Sequence, residues 1–396
     1  MKFSPTLPYD IHGNIDTSLL LLAEKVCLKS ATLTGNHTSQ ILNATRDLLR
    51  VTNSYYSNRI ESEGTHPIDI EKAMQKKYAK DKKKRDLQKL SLAHIETQKF
   101  LEFQTSKHSN NIVSTDFISK LHEYFYTQDG LEPFLNIDSD TLMQPGQLRE
   151  KDVAVDNYIA PPAHEIVSLM QIYQIEYQRL GKKTTQAMQL LNALCAHHRL
   201  LWIHPFLDGN GRISRLFLDA MLYDMKLEGY GLWNISRGLA REIKNYQSEL
   251  KYADMIRQGS KDGKGNLSLM GLSSYLKFML QTALDQIDYM QHSLNLATLS
   301  SRMQIFIQNS QQGMYNQEPL PKYTQALFNH LLIHGEVKRG EVKEIIGKQK
   351  TVATQLIKKL LEMNYLESDS PKGTIRLKFN AFFASKLMPE LIPETL

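Results

Sequence analysis

One stretch constrains this chain more than any other: His204-Pro205-Phe206-Leu207-Asp208-Gly209-Asn210-Gly211-Arg212-Ile213-Ser214-Arg215. Upstream of it, Ala187, Leu190, Leu191, Leu194 and Leu201 recur at helical spacing and form one apolar face. Downstream, Ile213, Leu216, Phe217, Ala220 and Met221 repeat the pattern, and Gly229 is the expected stop. The chain must therefore build two core helices joined by a loop that empties into a helix N-terminus. Unpaired backbone N–H groups and the positive end of the dipole favour an anion there. Gly209 and Gly211 allow positive φ and a close approach of backbone to ligand.

The side chains of the loop suit the same purpose. His204 titrates near neutrality and can accept a proton from an attacking hydroxyl. Asp208 is a hard oxygen ligand of the kind Mg²⁺ takes alongside substrate phosphates. Asn210 can donate to a phosphate oxygen, while Arg212 and Arg215 offer forked, permanently charged donors. Three residues apart on an opening helical turn, the two arginines can share one side. A tight turn with a buried His and surface arginines would account for any one of these residues, but not for the set. No G-x-x-x-x-G-K-[ST] phosphate loop occurs in the chain.

This stretch resembles in full the signature of the Fic family, His-Pro-Phe-x-Asp/Glu-Gly-Asn-Gly-Arg-x-x-Arg. The resemblance implies transfer of AMP from Mg-ATP to a Ser, Thr or Tyr hydroxyl of a protein, with pyrophosphate leaving. It implies that His204 is the base, that Asp208 holds Mg²⁺ and that Phe206 anchors the loop. Gly209, Asn210, Gly211 and Arg212 would cradle the α- and β-phosphates, and Arg215 would meet the γ-phosphate. Positioning and charge stabilisation supply most of the acceleration in such chemistry.

Far upstream lies Ser57-Asn58-Arg59-Ile60-Glu61-Ser62. By itself this is a polar helical stretch with Ser57 and Glu61 on one face. It resembles the inhibitory motif of many Fic proteins, Ser/Thr-x-x-x-Glu-Gly/Asn, whose glutamate pairs with the second arginine and displaces the γ-phosphate. That resemblance implies Glu61 on Arg215, with Ser57 holding the helix end nearby. Ser62 departs from the pattern. A rival register, Glu63-Gly64, puts Arg59 in the Ser/Thr position. Each register has one mismatch, and the Glu61 register is the one adopted.

Gly146 to Arg149, then Val153 to Val155 and Tyr158 to Pro162, read as non-helical, with a short hairpin. In the family this position holds a flap that aligns the target by strand addition, which makes Leu148, Val153 and Tyr158 candidate docking residues. Tyr246, on a helix after the motif, is the candidate for stacking on adenine.

Two cysteines, Cys27 and Cys195, set no disulfide framework, and Cys195 reads as a small core residue. No apolar run nears the ~20 residues of a membrane span, and no signal pattern opens the chain. The expected setting is cytoplasmic. The net charge of +6 is concentrated in Lys76, Lys77, Lys80, Lys82, Lys83, Lys84, Arg85 and Lys89, read as the solvated face of a long helix. Gly259 to Asn266 reads as a flexible loop.

The expected fold is mainly α: a helical N-terminal region (1–100) carrying the inhibitory helix, a Fic-type core (112–290) with its hairpin flap, and a winged helix domain (320–396). In the tail, a helix over 323–334, a short helix over 341–346 and a helix over 351–364 precede two strands at 365–367 and 374–379. The third helix is expected to bury Val352, Leu356, Leu360 and Met363, and to turn Lys350, Thr354, Gln355 and Lys358 outward, where a major groove could receive them. Three outcomes follow for the same chain: an autoinhibited adenylyltransferase, an enzyme that removes AMP with Glu61 acting on water, or a DNA-binding regulator with a nucleotide-sensing core. A homodimer whose interface relieves the inhibition is compatible with the first.

Overall fold

The computed structural model describes residues 2–35, 37–107, 111–155, 158–179 and 184–394. Helices dominate them. The N-terminal part consists of α1 (Thr17–Thr32), α2 (Ser39–Ile60), α3 (Pro67–Met74), α4 (Lys82–Ser106) and α5 (Thr115–Tyr126). Side-chain oxygens at Asp16, Thr38, Asp81 and Ser114 accept from the first free N–H groups of α1, α2, α4 and α5, which fixes where each begins. The lysine-rich stretch is divided. Lys76 to Lys80 lie in the loop after α3, and only Lys82 onward opens a helix, because Asp81 caps there.

Next come α6 (Ile166–Arg179), α7 (Gln186–Ile203), α8 (Asn210–Asp224), α9 (Ser236–Arg241), α10 (Ile243–Asp254), α11 (Leu269–Ser293) and α12 (Leu296–Gln311). α8 stops before Gly229, which instead closes against α1: a Cβ at Gly229 would lie 1.9 Å from the Ser30 carbonyl oxygen. One hydrophobic core runs from Phe3 through α7, α8 and α11 into the C-terminal tail. No described helix is long and apolar enough to cross a membrane.

Two hairpins precede α6. The sequence reading anticipated the second, β3 (Ala154–Val155) with β4 (Tyr158–Ile159), but not the first, β1 (Asn136–Asp138) with β2 (Thr141–Leu142). Strands β1 and β2, of three and two residues, are too short for alternation to reveal them. The loop from Gly259 to Asn266 is also better held than its glycines suggest. Ile256 bridges Leu267, and the fully buried Asp262 carboxylate accepts from the N–H groups of Gln258 (2.7 Å) and Met270 (2.8 Å).

The tail comprises α13 (Thr324–His334), β5 (Glu336–Val337), α14 (Val342–Ile346), α15 (Lys350–Glu362), β6 (Leu366–Glu367), β7 (Ile375–Leu377) and α16 (Ala381–Leu387). The strands form one antiparallel sheet in the order β5-β7-β6, and β5 had not been anticipated. α15 buries Ala353, Leu356, Ile357 and Leu360; Val352 and Met363 are only half-buried, a rotation of the expected face. Lys350, Thr354, Gln355 and Lys358 are exposed, with Glu362 one turn from Lys358. The chain then returns to the N-terminal helices: Tyr56 donates to the Leu391 carbonyl oxygen (3.1 Å), and the Ala381 N–H donates to the Glu71 carboxylate (2.8 Å).

Candidate active site

α7 ends where His204 takes a left-handed conformation (φ 53°), and α8 begins after Gly209 does the same (φ 78°). The loop between them is locked from inside. The Asn210 amide oxygen accepts from the Phe206 N–H at 2.9 Å, and its amide nitrogen donates to the Phe206 carbonyl oxygen at 2.8 Å. The amide oxygen and one of the two amide N–H groups are thus engaged in the loop, leaving the second N–H as a donor beside the backbone of a helix start with no side-chain cap. Phe206 is 1 % exposed and stacks on His122 with ring centres 4.0 Å apart.

The two glycines also differ from expectation. Gly209 needs its positive φ, and a Cβ there would meet the Tyr126 hydroxyl at 2.3 Å. Gly211 has ordinary helical φ and matters for space: its Cβ would lie 2.3 Å from the Glu61 Oε1.

His122 and Arg149, neither singled out from the sequence, tie this loop to the hairpin segment. The Gly146 N–H donates to His122 Nδ1 (2.8 Å), which leaves Nε2 to donate to the Asp208 carbonyl oxygen (3.3 Å). Arg149 is 3 % exposed and donates to the carbonyl oxygens of His204 (2.7 Å), Lys151 (3.0 Å) and Pro161. Burial and the Arg149 charge hold the His204 imidazole down at about 4, so it is neutral, and able to accept a proton, at physiological pH. Asp208 is exposed at the loop surface; its Oδ1 accepts from the Gly209 N–H at 2.6 Å. Crowding by protein, with the Glu61 charge nearby, raises its carboxyl somewhat.

The arginines of α8 are covered by the end of α2. Arg215, 3 % exposed, donates from Nε to the Ser57 hydroxyl (2.9 Å) and from Nη2 to the Ser57 carbonyl oxygen (2.9 Å) and Glu61 Oε1 (2.7 Å). Burial pushes the Glu61 carboxyl up, but the guanidinium charges of Arg215 and Arg212 outweigh it and hold the group below the usual carboxylate range. Arg212, 4 % exposed, donates to the Tyr126 hydroxyl (2.9 Å) and to the carboxylate of Glu63. Glu61 and Glu63, rivals on paper, are therefore both engaged, each with its own arginine.

Local geometry explains how. Glu61 caps α2, the Ser62 N–H donates to the Arg59 carbonyl oxygen (3.0 Å), and the Glu63 N–H reaches back to that of Asn58 (2.9 Å). This is a Schellman turn, whose left-handed position is held by Ser62 at φ 62°. Glycine or asparagine adopts that conformation at low cost, whereas serine pays more to hold it. Deeper in, Asn53 of α2 donates to the Asp219 carboxylate of α8 (3.2 Å) and to the Gln98 amide oxygen of α4 (2.9 Å), seating the covering helix.

The remaining candidates lie apart from open surface. Tyr246 is 2 % exposed and packs against Phe278 at 6.4 Å on the buried side of α10, close to Arg215 and Glu61. Leu148 is half-buried against the core, and the half-buried Tyr158 donates its hydroxyl to the Trp202 carbonyl oxygen. Val153 is half-buried and accepts from the Ala160 N–H (3.3 Å). On the hairpin it is Ile159, 82 % exposed, that faces solvent.

A half-buried imidazole held neutral, a locked loop feeding a helix start and two arginines already holding carboxylates thus lie together. Residues 113–222 match the model of the Fic/DOC family, so the chain carries a Fic/DOC domain. The protein adenylyltransferase Fic of Drosophila ananassae is 35 % identical over 81 residues, covering 20 % of this chain and 16 % of that protein. The enzyme of the same name from Drosophila melanogaster gives the same identity and coverage. The match thus spans under a fifth of these relatives' length. Among solved structures, a Fic family protein from Desulfovibrio desulfuricans G20 superposes with a TM-score of 0.52 at 15 % identity, covering 91 % of this chain and 95 % of that one. Fic-1 of C. elegans gives 0.54 at 16 % identity, over 71 % and 74 %. These structural likenesses establish the shared helical fold.

Proposed function

We propose that this chain is a protein adenylyltransferase held in a restrained state. The observation that carries the reading is the His204 imidazole, neutral at physiological pH, at the head of a loop whose two following arginines each already hold a carboxylate. Carboxylates on arginines occupy the place that phosphate oxygens would take.

In this reading a target hydroxyl gives its proton to His204 as its oxygen bonds to the α-phosphorus of ATP. The bond to the leaving pyrophosphate breaks as the new one forms. The first N–H groups of α8 and Arg212 hold the α- and β-phosphates, and Arg215 holds the γ-phosphate. Among the described residues no cluster of three or more His, Cys, Asp or Glu could cage a metal. A single exposed carboxylate, Asp208, nevertheless suits Mg²⁺, which commonly takes one or two carboxylates and fills its other positions with phosphate oxygens and water. Bound there, it would neutralise charge on the departing pyrophosphate. Glu61 on Arg215 keeps the γ-phosphate from its place, and the hairpin, with Ile159 outward, offers an edge for an extended target segment. The cytoplasm, which holds ATP and Mg²⁺, is the proposed compartment.

The test compares wild type, Glu61→Gly and Glu61→Gly/His204→Ala with α-labelled ATP and Mg²⁺. Label on protein only in Glu61→Gly is the expected result. Equal labelling in wild type would remove Glu61 as a restraint, and label surviving His204→Ala would remove the assigned base.

A further inference from the structure

The second carboxylate has a separate consequence. Arg215 is held by Ser57 and Glu61 through Nε and Nη2, so the restraint on that arginine does not need Glu63. Glu63 acts elsewhere, on Arg212, one turn closer to the start of α8. Of the Arg212 guanidinium, Nη1 is given to Tyr126, Nη2 to Glu63, and Nε is buried with no hydrogen-bond partner among the described residues. Glu63 therefore sits on the Nη2 end of a guanidinium whose Nη1 end is tied to Tyr126, and an anion that takes Nη2 must share it with or displace that carboxylate.

We propose that Glu63 is a second, independent gate which competes with the β-phosphate of the nucleotide, so that this chain discriminates against diphosphates and triphosphates alike until Glu63 leaves Arg212. The proposal rests on the nucleotide-binding reading of the site and adds a residue to it. Glu61 and Glu63 then hydrogen-bond to different arginines: Glu61, on Arg215, acts chiefly on the γ-phosphate, with a weaker through-space charge on Arg212, and Glu63, on Arg212, acts on the phosphate that ADP and ATP share.

Two features make this an exchange and not an incidental surface pair. Arg212 is 4 % exposed and burial lowers its guanidinium to about 10, so stripping its counter-charge is unfavourable unless another anion replaces it. The Glu63 side chain is about a third exposed, so it can swing out to solvent when a phosphate arrives. The Schellman turn supplies the hinge. Glu63 is held by one backbone bond to the Asn58 carbonyl oxygen, beyond a serine that sits uneasily in the left-handed region. Glu61, as the cap of α2 pressed against Gly211, is tied to the helix itself.

ADP separates the two gates because it lacks the γ-phosphate. Calorimetric titration of ADP and ATP, at fixed Mg²⁺ and salt, would compare wild type, Glu61→Gln and Glu63→Gln, with thermal melting to confirm that each variant is folded. ADP affinity is expected to rise at least about tenfold in Glu63→Gln and to stay within about threefold of wild type in Glu61→Gln, in line with the strength of charge-assisted pairs near a buried arginine. ATP affinity should rise in both. Equal ADP affinity in wild type and Glu63→Gln would overturn the gate while leaving the nucleotide site standing. An equal gain from either substitution would also overturn it, since general charge removal would then suffice. Absence of ADP and ATP binding in every folded variant would overturn the nucleotide reading itself, and the gate with it.

Discussion

Residues 204–215 and residues 57–63 are both helix ends, and they meet face to face, but they are held in different ways. The first is fixed from within its own loop. Phe206 fills the core, Asn210 closes two hydrogen bonds on the Phe206 backbone, and His122 and Arg149 brace the outside. The second is fixed mainly by what it touches: Glu61 and Ser57 on Arg215, and Glu63 on Arg212. The proposed function gives this difference a use: a loop that holds a substrate is served by internal restraints, and a segment that must give way is served by ion pairs that an incoming anion can replace.

That contrast can be broken or sharpened by mutation. The largest effect is expected from His204→Ala in the Glu61→Gly background, where loss of a general base should cost about 10²–10⁴ in labelling rate, with melting unchanged. A residual rate within threefold of the parent would show that the loop needs no base at this position.

Next is Asn210→Ala, which leaves a buried N–H and carbonyl of Phe206 unpaired and is expected to cost about 2–4 kcal/mol of stability. Urea unfolding would measure it. A loss under about 0.5 kcal/mol would mean that the loop is not internally fixed, and the contrast would fail on its first side.

Ser62→Gly should act in the opposite direction on the cover. Relieving a left-handed serine is worth about 1 kcal/mol, or about fivefold in the open population. The Glu63 amide, bonded to the Asn58 carbonyl oxygen, should exchange its hydrogen correspondingly more slowly. Unchanged or faster exchange would contradict a strained hinge.

The smallest change is a predicted absence of one. A base with a pKa near 6.5 would give a rate that climbs between pH 5 and 8. With His204 held at about 4, the imidazole is already neutral across that range and loses its role only as pH falls toward 4. Removing Glu61, whose charge raises this pKa, moves the group further down and not up. The pH–rate profile of Glu61→Gly should therefore show no limb from His204 between 5 and 8; a limb near 6.5 would mean that the working imidazole is solvated.

Local patterns carried much of this protein into view. The helix pair around the motif, the loop, the α8 start and most tail helices follow from apolar spacing and stop signals, because helices are governed by near neighbours in sequence. Short strands were read less well: β1, β2 and β5 span two or three residues each, below what alternation can signal. The helical position of Tyr246 allowed core or ligand contact, and its burial against Phe278, close to Arg215, follows only from packing.

The charged residues mark the boundary most clearly. Sequence by itself determined that His204, Asp208, Arg212 and Arg215 share one loop and one helix start, since fewer than four helical turns of chain connect them. It also offered Glu61 and Glu63 as alternatives. Only the tertiary structure made them simultaneous. Docking of α2 on α8 brings residues about 150 positions apart into contact, and a left-handed turn at Ser62 swings the second carboxylate back onto the first arginine. Chain connectivity cannot specify such a meeting, because it depends on where two helices pack and not on what lies between them.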